Sequence, residues 1–162
     1  MVNRLKPHVL VLPEDDADGQ LANGFVLHPG VAPRAIQILP EAGGWNSVLS
    51  CFVDEHVAGM DKFPHRFMIL LIDFDRDGDR LNKARARIPL HLKDRVFVLG
   101  VWSNPEDLKR SLSATFEQIG TRLAQECRDG TGDTWEHDLL RHNSDELYRL
   151  RIKVMPMVFP AA

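Results

Sequence analysis

The sequence predicts an α/β fold in which a parallel sheet of about four strands carries helices on both faces. Between residues 8 and 101, strand-like and helical segments alternate in the order βαβαβαβ, and a parallel sheet with crossover helices is the natural arrangement for that order. The segment from Phe67 to Ile72 is apolar throughout, as expected for a central parallel strand covered on both faces. The remainder is mostly helical. We therefore expect a single domain over 1–162, with a core at about 6–112 and a C-terminal extension at about 113–162.

Short β-branched or alternating apolar runs mark the predicted strands. The first run ends at Pro13, and the second ends at Pro40. The four predicted core strands are His8 to Leu12, Arg34 to Leu39, Phe67 to Ile72 and Arg95 to Val101. Residues Arg151 to Phe159 are expected to form a closing strand at an edge, because Pro156 does not suit a central strand.

Apolar residues spaced at i, i+3, i+4 and i+7 mark the predicted helices. The predicted helices are Asp18 to Leu27, Gly44 to Gly59, Asp79 to Ile88, one or two helices between Ser103 and Cys127, and one that begins near Ser144. The segment from Ser103 to Glu106 has the spacing of a capping box, with Pro105 near the first helical position.

Composition excludes several classes of protein. With 44% hydrophobic residues, 27% charged residues and a net charge of −3, the chain is expected to be globular and soluble. No apolar run approaches the roughly 18 residues of a membrane helix, and the N-terminus does not resemble a signal peptide. We therefore expect a cytoplasmic protein whose two cysteines, Cys51 and Cys127, are reduced thiols in the core.

Charge is distributed unevenly along the chain. Residues 76–95 contain seven Lys and Arg against three Asp. Two groups of acids lie before or at the start of this basic stretch, the first at Glu14, Asp15, Asp16 and Asp18 and the second at Asp73, Asp75 and Asp77. Acids beside a basic stretch could hold a divalent cation next to a surface that binds phosphate.

Both acidic groups follow predicted strands, where functional groups of open α/β sheets gather. Glu14 comes two residues after the first strand, and Asp73 follows the third strand directly. In an extended segment Asp73 and Asp75 point to the same side, and Glu14 reaches that point if the first and third strands are neighbours. Three converging carboxylates repel one another unless a cation neutralises them, and oxygen ligands favour Mg²⁺, Mn²⁺ or Ca²⁺.

Other families also use closely spaced Asp residues. An EF-hand loop is excluded, because its twelfth position, which requires Glu, is Ala84 here. A phosphatase of the haloacid-dehalogenase (HAD) type remains an alternative. In that interpretation Asp73 is the nucleophile, and Asp133 and Asp138 supply the metal motif.

The remaining pattern resembles the Toprim domain. That family has a Glu just after its first strand and a DxD just after its third, here VLVLPE with Glu14 and ILLIDFD with Asp73 and Asp75. The resemblance is closest to the Toprim domains of overcoming-lysogenization-defect (OLD) nucleases and to small stand-alone Toprim-like proteins of unknown function. It covers roughly residues 1–110.

Three further features carry this closer resemblance. Asp18 follows Glu14 by one helical turn, the pair Gly43-Gly44 follows the second strand, and Glu106 lies in the helix after the fourth strand. Two residues depart from the pattern. Asp15 stands where relatives tend to have Gly, and Trp45 stands where they often have Lys.

The resemblance implies a Mg²⁺- or Mn²⁺-dependent nuclease acting on DNA or RNA, often with a separate ATPase as partner. It implies that Asp73 and Asp75 hold one or two cations, with Glu14 as ligand or general base and Asp18 or Glu106 assisting a second ion. The expected contacts to the nucleic-acid backbone come from the basic stretch, at Arg76, Arg80, Lys83, Arg85 and Arg87. The departures at Asp15 and Trp45 favour the alternative of a non-catalytic scaffold that binds metal and nucleic acid.

Overall fold

A single parallel sheet forms the centre of the molecule. The computed structural model describes residues 1–160. Its strands are β1 (His8–Pro13), β2 (Ile36–Ile38), β3 (Arg66–Leu71) and β4 (Val96–Leu99). They lie in the order β2-β1-β3-β4, and all three pairings are parallel. This confirms the predicted α/β fold, which has a Rossmann-like arrangement.

Helices connect and follow the strands. They are α1 (Asp16–Val26), α2 (Trp45–Cys51), α3 (Val57–Lys62), α4 (Asp79–Arg87), α5 (Pro105–Leu112), α6 (Phe116–Asp129), α7 (Ser144–Lys153) and α8 (Met155–Val158). A π-helical turn, Phe52–His56, joins α2 to α3, so the single helix predicted over 44–59 is interrupted and extends to Lys62. Within residues 1–160, no helix is long and apolar enough to cross a membrane.

Both faces of the sheet carry helices, as predicted. Side chains of α1, α5, α6, α7 and α8 form one core with Val9 and Val11 of β1, and α2, α3 and α4 form the other with Leu10 and Leu12. The C-terminal helices therefore belong to the same core as the sheet. The central strand β3 is fully buried only toward α2 and α3, because alternate residues on its other face stay half-buried.

The predicted edge strand over 151–159 is wrong. This segment completes α7 and forms α8. Leu150, Val154 and Val158 recur every four residues and are all buried against the sheet, so helical burial outweighs the local strand-like alternation. Pro156 is tolerated because it lies in the first turn of α8, where its missing N–H is not needed.

The predicted capping box at the start of α5 is also wrong. The N-cap is Asn104, whose side chain accepts a hydrogen bond from the Asp107 N–H at 3.0 Å. Pro105 occupies the first turn, as expected. Because Asn104 caps the helix, capping does not account for Glu106.

Helices α1 and α6 approach each other closely at two glycines. A Cβ atom added at Gly120 would overlap the Leu21 carbonyl oxygen, and one added at Gly24 would overlap the Glu117 carbonyl oxygen. Only glycine therefore permits this spacing between the two helices.

We expect Gly120→Ala to lower the free energy of unfolding by about 1–3 kcal/mol, because the helices must move apart. Gly19→Ala is the matched control, since a Cβ atom there meets only Pro13 at 3.9 Å. Alanine inside α1 should raise stability by up to about 0.5–1 kcal/mol. Urea unfolding followed by circular dichroism measures both changes, and equal shifts in the two variants would contradict the close approach.

Candidate functional site

The ends of β1 and β3 bring Glu14 and Asp73 together. The two strands are neighbours, and their register pairs Pro13 with Leu71. The Glu14 N–H donates to the Leu71 carbonyl oxygen at 2.9 Å, which continues the ladder by one residue. The Asp73 N–H donates to Glu14 Oε2 at 2.6 Å, so the Glu14 side chain turns toward the tip of β3.

Asp18 joins these two acids from the first turn of α1. Asp15 is the N-cap of that helix, and its Oδ1 accepts the Asp18 N–H at 3.0 Å. Helix α1 thus begins directly after Glu14 and directs Asp18 toward the sheet edge. One carboxylate oxygen each of Glu14, Asp18 and Asp73 lies within 4.8 Å of the other two. We call these three residues the acidic cluster.

The acidic cluster is largely removed from water. Asp18 is 0% exposed, and neither of its carboxylate oxygens has a hydrogen-bond donor within the described residues. Asp73 Oδ1 is buried and unpartnered in the same way. Buried carboxylate oxygens without donors are costly unless a proton or a cation compensates them.

Burial also perturbs the ionisation of the acidic cluster. Burial, followed by the neighbouring Asp73 carboxylate, raises the pKa of Asp18 far above its usual range. Burial and the charge of Glu14 raise the pKa of Asp73, and burial raises the pKa of Glu14 although the Asp73 N–H opposes this. The cluster therefore retains a proton near neutral pH or exchanges it for a cation.

The donor set fits a hard divalent cation. All three ligating groups are carboxylates, which suit Mg²⁺, Mn²⁺ or Ca²⁺ rather than softer metals. The orphaned oxygens of Asp18 and Asp73 provide unused ligand positions. The acidic cluster could thus hold a divalent metal ion.

Asp75 does not join the acidic cluster. The chain turns immediately after β3, with the Asp77 N–H donating to the Phe74 carbonyl oxygen at 2.9 Å, and both Asp75 and Arg76 have positive φ. The Asp75 side chain is 77% exposed and pairs with Arg80 at 3.5 Å. The expectation that Asp73 and Asp75 point the same way is wrong, because it assumed an extended segment where the backbone forms a tight turn.

The glycine pair borders the acidic cluster. The Gly43 N–H donates to the Glu14 carbonyl oxygen at 2.8 Å, and both Gly43 and Gly44 have positive φ, which favours glycine. Helix α2 begins directly afterwards, at Trp45. This turn packs the start of α2 against the end of β1.

Arg80 places a cation beside the acidic cluster. Its Nη1 donates to the Asp73 carbonyl oxygen at 2.8 Å, and its guanidinium carbon lies 4.8 Å from the centre of the Trp45 ring. The ring therefore acts as a platform for Arg80, a role that the sequence did not reveal. Arg80 of α4 thus places a positive charge directly beside Trp45.

Glu106 lies outside the acidic cluster. It is exposed in the first turn of α5, and its charge contributes to the raised pKa of Asp73. Glu106 thus lies near the edge of the site, and its carboxylate is not within ligand distance of the carboxylates of the acidic cluster.

The five basic residues predicted to contact the nucleic-acid backbone fall into two groups, with Arg76, Arg80, Lys83 and Arg87 in the first and Arg85 alone in the second. Arg76, Lys83 and Arg87 are exposed, and Arg80 faces the acidic cluster. Their spacing places Arg80, Lys83 and Arg87 along one side of α4. Arg85 lies elsewhere, because its guanidinium pairs with the buried carboxylate of Glu146 at 3.5 Å.

Asp15, which the sequence identified only as a departure from the Toprim pattern, is the N-cap of α1. Its helix-capping role explains an acid at that position, and the signal was present in the sequence as an Asp one turn before the first buried face of α1.

The acids that the phosphatase alternative requires do not reach the cluster. Asp133 and Asp138 are exposed, and Asp138 pairs with Arg141 at 3.2 Å.

Comparison with protein-family models, curated proteins and solved structures finds no match to this chain.

Proposed function

We propose that the protein is a Toprim-type phosphodiesterase that uses Mg²⁺ or Mn²⁺ to hydrolyse DNA or RNA. The observation that carries the proposal is the convergence of Glu14, Asp18 and Asp73, with Asp18 fully buried and both of its oxygens unpartnered. In an ordinary surface turn, a buried carboxylate without a hydrogen-bond donor would only lower stability. At a metal site, a bound divalent cation compensates the same carboxylate.

The residues of the acidic cluster have distinct tasks in this proposal. Asp18 and Asp73 are the ligands, and Glu14 is either a third ligand or the general base. When bound, the cation would activate water and stabilise charge on the scissile phosphate and the leaving oxygen. The hydrogen bond from the Asp73 N–H fixes the Glu14 carboxylate relative to the other ligands, so the site is organised before substrate arrives.

Arg80 is suited to contact the substrate phosphate. Its guanidinium stacks on Trp45 and bonds to the Asp73 carbonyl oxygen, which keeps it at the edge of the cluster. Its ion pair with Asp75 involves a highly exposed carboxylate, and such pairs contribute little stability. Arg80 can therefore exchange Asp75 for a phosphate oxygen at low cost.

Exposed cations next to Arg80 support nucleic acid as the substrate. Lys83 and Arg87 extend the positive charge of Arg80 along α4, and Arg76 lies in the turn beside it. Contacts of this kind hold the phosphate backbone without reading the base sequence.

We expect the double variant Lys83→Ala/Arg87→Ala to weaken binding to DNA and RNA of every sequence tested. The slope of log Kobs against log salt concentration should become shallower by about 2, or about 1 for each lost phosphate contact. Fluorescence anisotropy at several salt concentrations measures this slope. Arg122→Ala, which removes an exposed cation from α6, should leave the slope unchanged. A slope that is the same in both variants would remove α4 from the interface.

The proposed activity is tested directly with purified protein. Supercoiled plasmid and single-stranded RNA are incubated with Mg²⁺ or Mn²⁺ and, in parallel, with a chelator. Nicked, linear or shortened products that require the metal are expected. Absence of cleavage on both substrates with either metal would refute the enzymatic proposal.

One observation favours the second candidate, a non-catalytic Toprim-like scaffold that binds metal and nucleic acid. Asp75, the second acid of the DxD pattern, is exposed and paired with Arg80 rather than turned toward the other acids. In a scaffold, metal binding to the cluster persists while no phosphodiester bond is cleaved. Either function is compatible with a separate ATPase as partner, and co-purification with an ATPase would support that extension of the proposal.

A further inference from the structure

A second group of metal-ligating side chains lies outside the acidic cluster. Cys51 ends α2, and Glu55 and His56 belong to the π-helical turn that follows. The Cys51 sulfur, a Glu55 carboxylate oxygen and a His56 ring nitrogen all lie within 4.8 Å of one another. We call these residues the thiol–imidazole cluster.

The π-helical turn creates this cluster. On a regular α-helix, residues five apart are rotated by about 140°, so Cys51 and His56 would point to different sides. Here the Val57 N–H donates to the Phe52 carbonyl oxygen, an i→i+5 bond that widens the helix. The wider turn brings positions 51, 55 and 56 to one side. π-Helical turns of this kind occur frequently at functional sites.

The three side chains have few competing contacts. Cys51 Sγ donates to Glu55 Oε2 at 3.5 Å, and within residues 1–160 the His56 ring forms no hydrogen bond. Cys51 and His56 are half-buried, and Glu55 is exposed. The thiol and the imidazole are thus held by the fold and remain accessible, while the carboxylate can adjust to a ligand.

We propose that the thiol–imidazole cluster binds Zn²⁺ or a similar transition-metal ion through Cys51, Glu55 and His56. Sulfur and imidazole nitrogen are borderline-soft donors that suit Zn²⁺, in contrast to the all-oxygen set of the acidic cluster. The usual metal–ligand bonds are about 2.0–2.3 Å long, so the three donor atoms, which lie within 4.8 Å of one another, would draw closer by side-chain rotation when an ion binds. Binding releases the Cys51 thiol proton to solvent and leaves a sulfur–metal bond.

Acidic neighbours place negative charge at this position. Burial first, and then the carboxylates of Glu55 and Asp54, raise the pKa of the Cys51 thiol; these carboxylates also attract a divalent ion, whereas the positive charge of Arg66 acts in the opposite direction on His56. The local field therefore argues against a thiol nucleophile activated by His56. Three protein ligands leave one position of a tetrahedral site open to water or to a donor from another molecule.

The proposal is tested with Co²⁺ as a spectroscopic substitute for Zn²⁺. Titration of the full chain is expected to produce the visible bands of tetrahedral Co²⁺ and a thiolate-to-metal charge-transfer band, saturating at about one equivalent and abolished by Zn²⁺. Cys51→Ser should lose the charge-transfer band. Cys127→Ser is the matched control and should keep it, because Cys127 is buried in α6 on the opposite face of the sheet.

Two further variants make the assignment specific. His56→Ala should weaken Co²⁺ binding at least about tenfold, whereas Asp18→Asn should leave the charge-transfer band unchanged, so that this result is independent of the proposed nuclease. Circular dichroism confirms that each variant folds. No charge-transfer band in the folded protein, or a band that persists in Cys51→Ser, would overturn the proposal.

Discussion

The Asp73→Asn variant is expected to cleave nucleic acid at least about a hundredfold more slowly than the unmodified protein in Mg²⁺ or Mn²⁺. The substitution removes one anionic ligand of the cation. A bound cation stabilises the charge of the transition state by several kcal/mol, and each loss of about 1.4 kcal/mol slows the reaction about tenfold. Asparagine has nearly the same shape. The two backbone contacts of this residue, with Glu14 and Arg80, involve its N–H and carbonyl groups and should persist.

Asp75→Asn is the matched control for this experiment. Asp75 belongs to the same DxD pattern, but its side chain is 77% exposed and outside the acidic cluster. We expect its rate to fall by less than about tenfold. Metal-dependent cleavage that survives Asp73→Asn, or an equal loss in both variants, would contradict the site assignment. Covalent trapping of a phosphate mimic on Asp73 would instead support the phosphatase alternative.

The Asp18→Asn variant is expected to be more stable than the unmodified protein in the absence of metal at neutral and alkaline pH. Burial raises the pKa of Asp18 above its value of about 3.9 in the unfolded chain. Between these two values the folded state binds more protons than the unfolded state. The free energy of unfolding therefore falls as pH rises from about 4 through the raised pKa of the folded state.

The Asp18→Asn substitution removes this pH-dependent loss of stability. Asparagine carries no charge, so the free energy of burying it does not depend on pH. Each unit of pKa shift corresponds to about 1.4 kcal/mol, and each kcal/mol to about 2–4 °C in Tm for a chain of this size. We expect Tm measured in chelator to rise by several degrees at pH 8 and to change little near pH 4.

The same variant should lose the stabilisation that a bound metal provides. Mn²⁺ should raise the Tm of the unmodified protein, because the ion binds the folded state in preference to the unfolded chain. It should leave Asp18→Asn nearly unchanged. Asp16→Asn, in the exposed first turn of α1, is the control and should retain both the pH dependence and the response to Mn²⁺. An Asp18→Asn variant that Mn²⁺ still stabilises to the same extent would exclude Asp18 as a ligand.

Local patterns predicted most of the fold. The apolar run from Phe67 to Ile72 forms the central strand, and the alternation of strands and helices up to residue 101 produces a parallel sheet. Prediction failed where distant contacts outweighed local preference. Residues 151–159 alternate like a strand, but their burial against the face of the sheet that carries Val9 and Val11 stabilises a helix. Likewise, nothing local indicated that α2 would widen into a π-helical turn at Phe52.

The amino-acid sequence was sufficient to identify acidic side chains at the strand ends, because Glu14 and Asp73 each follow an apolar run directly or closely in the sequence. It did not determine which acids meet. That depended on the pairing of β1 with β3, on the capping of α1 by Asp15, which turns Asp18 inward, and on the tight turn that directs Asp75 to solvent. These outcomes arise from hydrogen bonds and burial shared among residues far apart in the chain, so only the folded molecule resolves them.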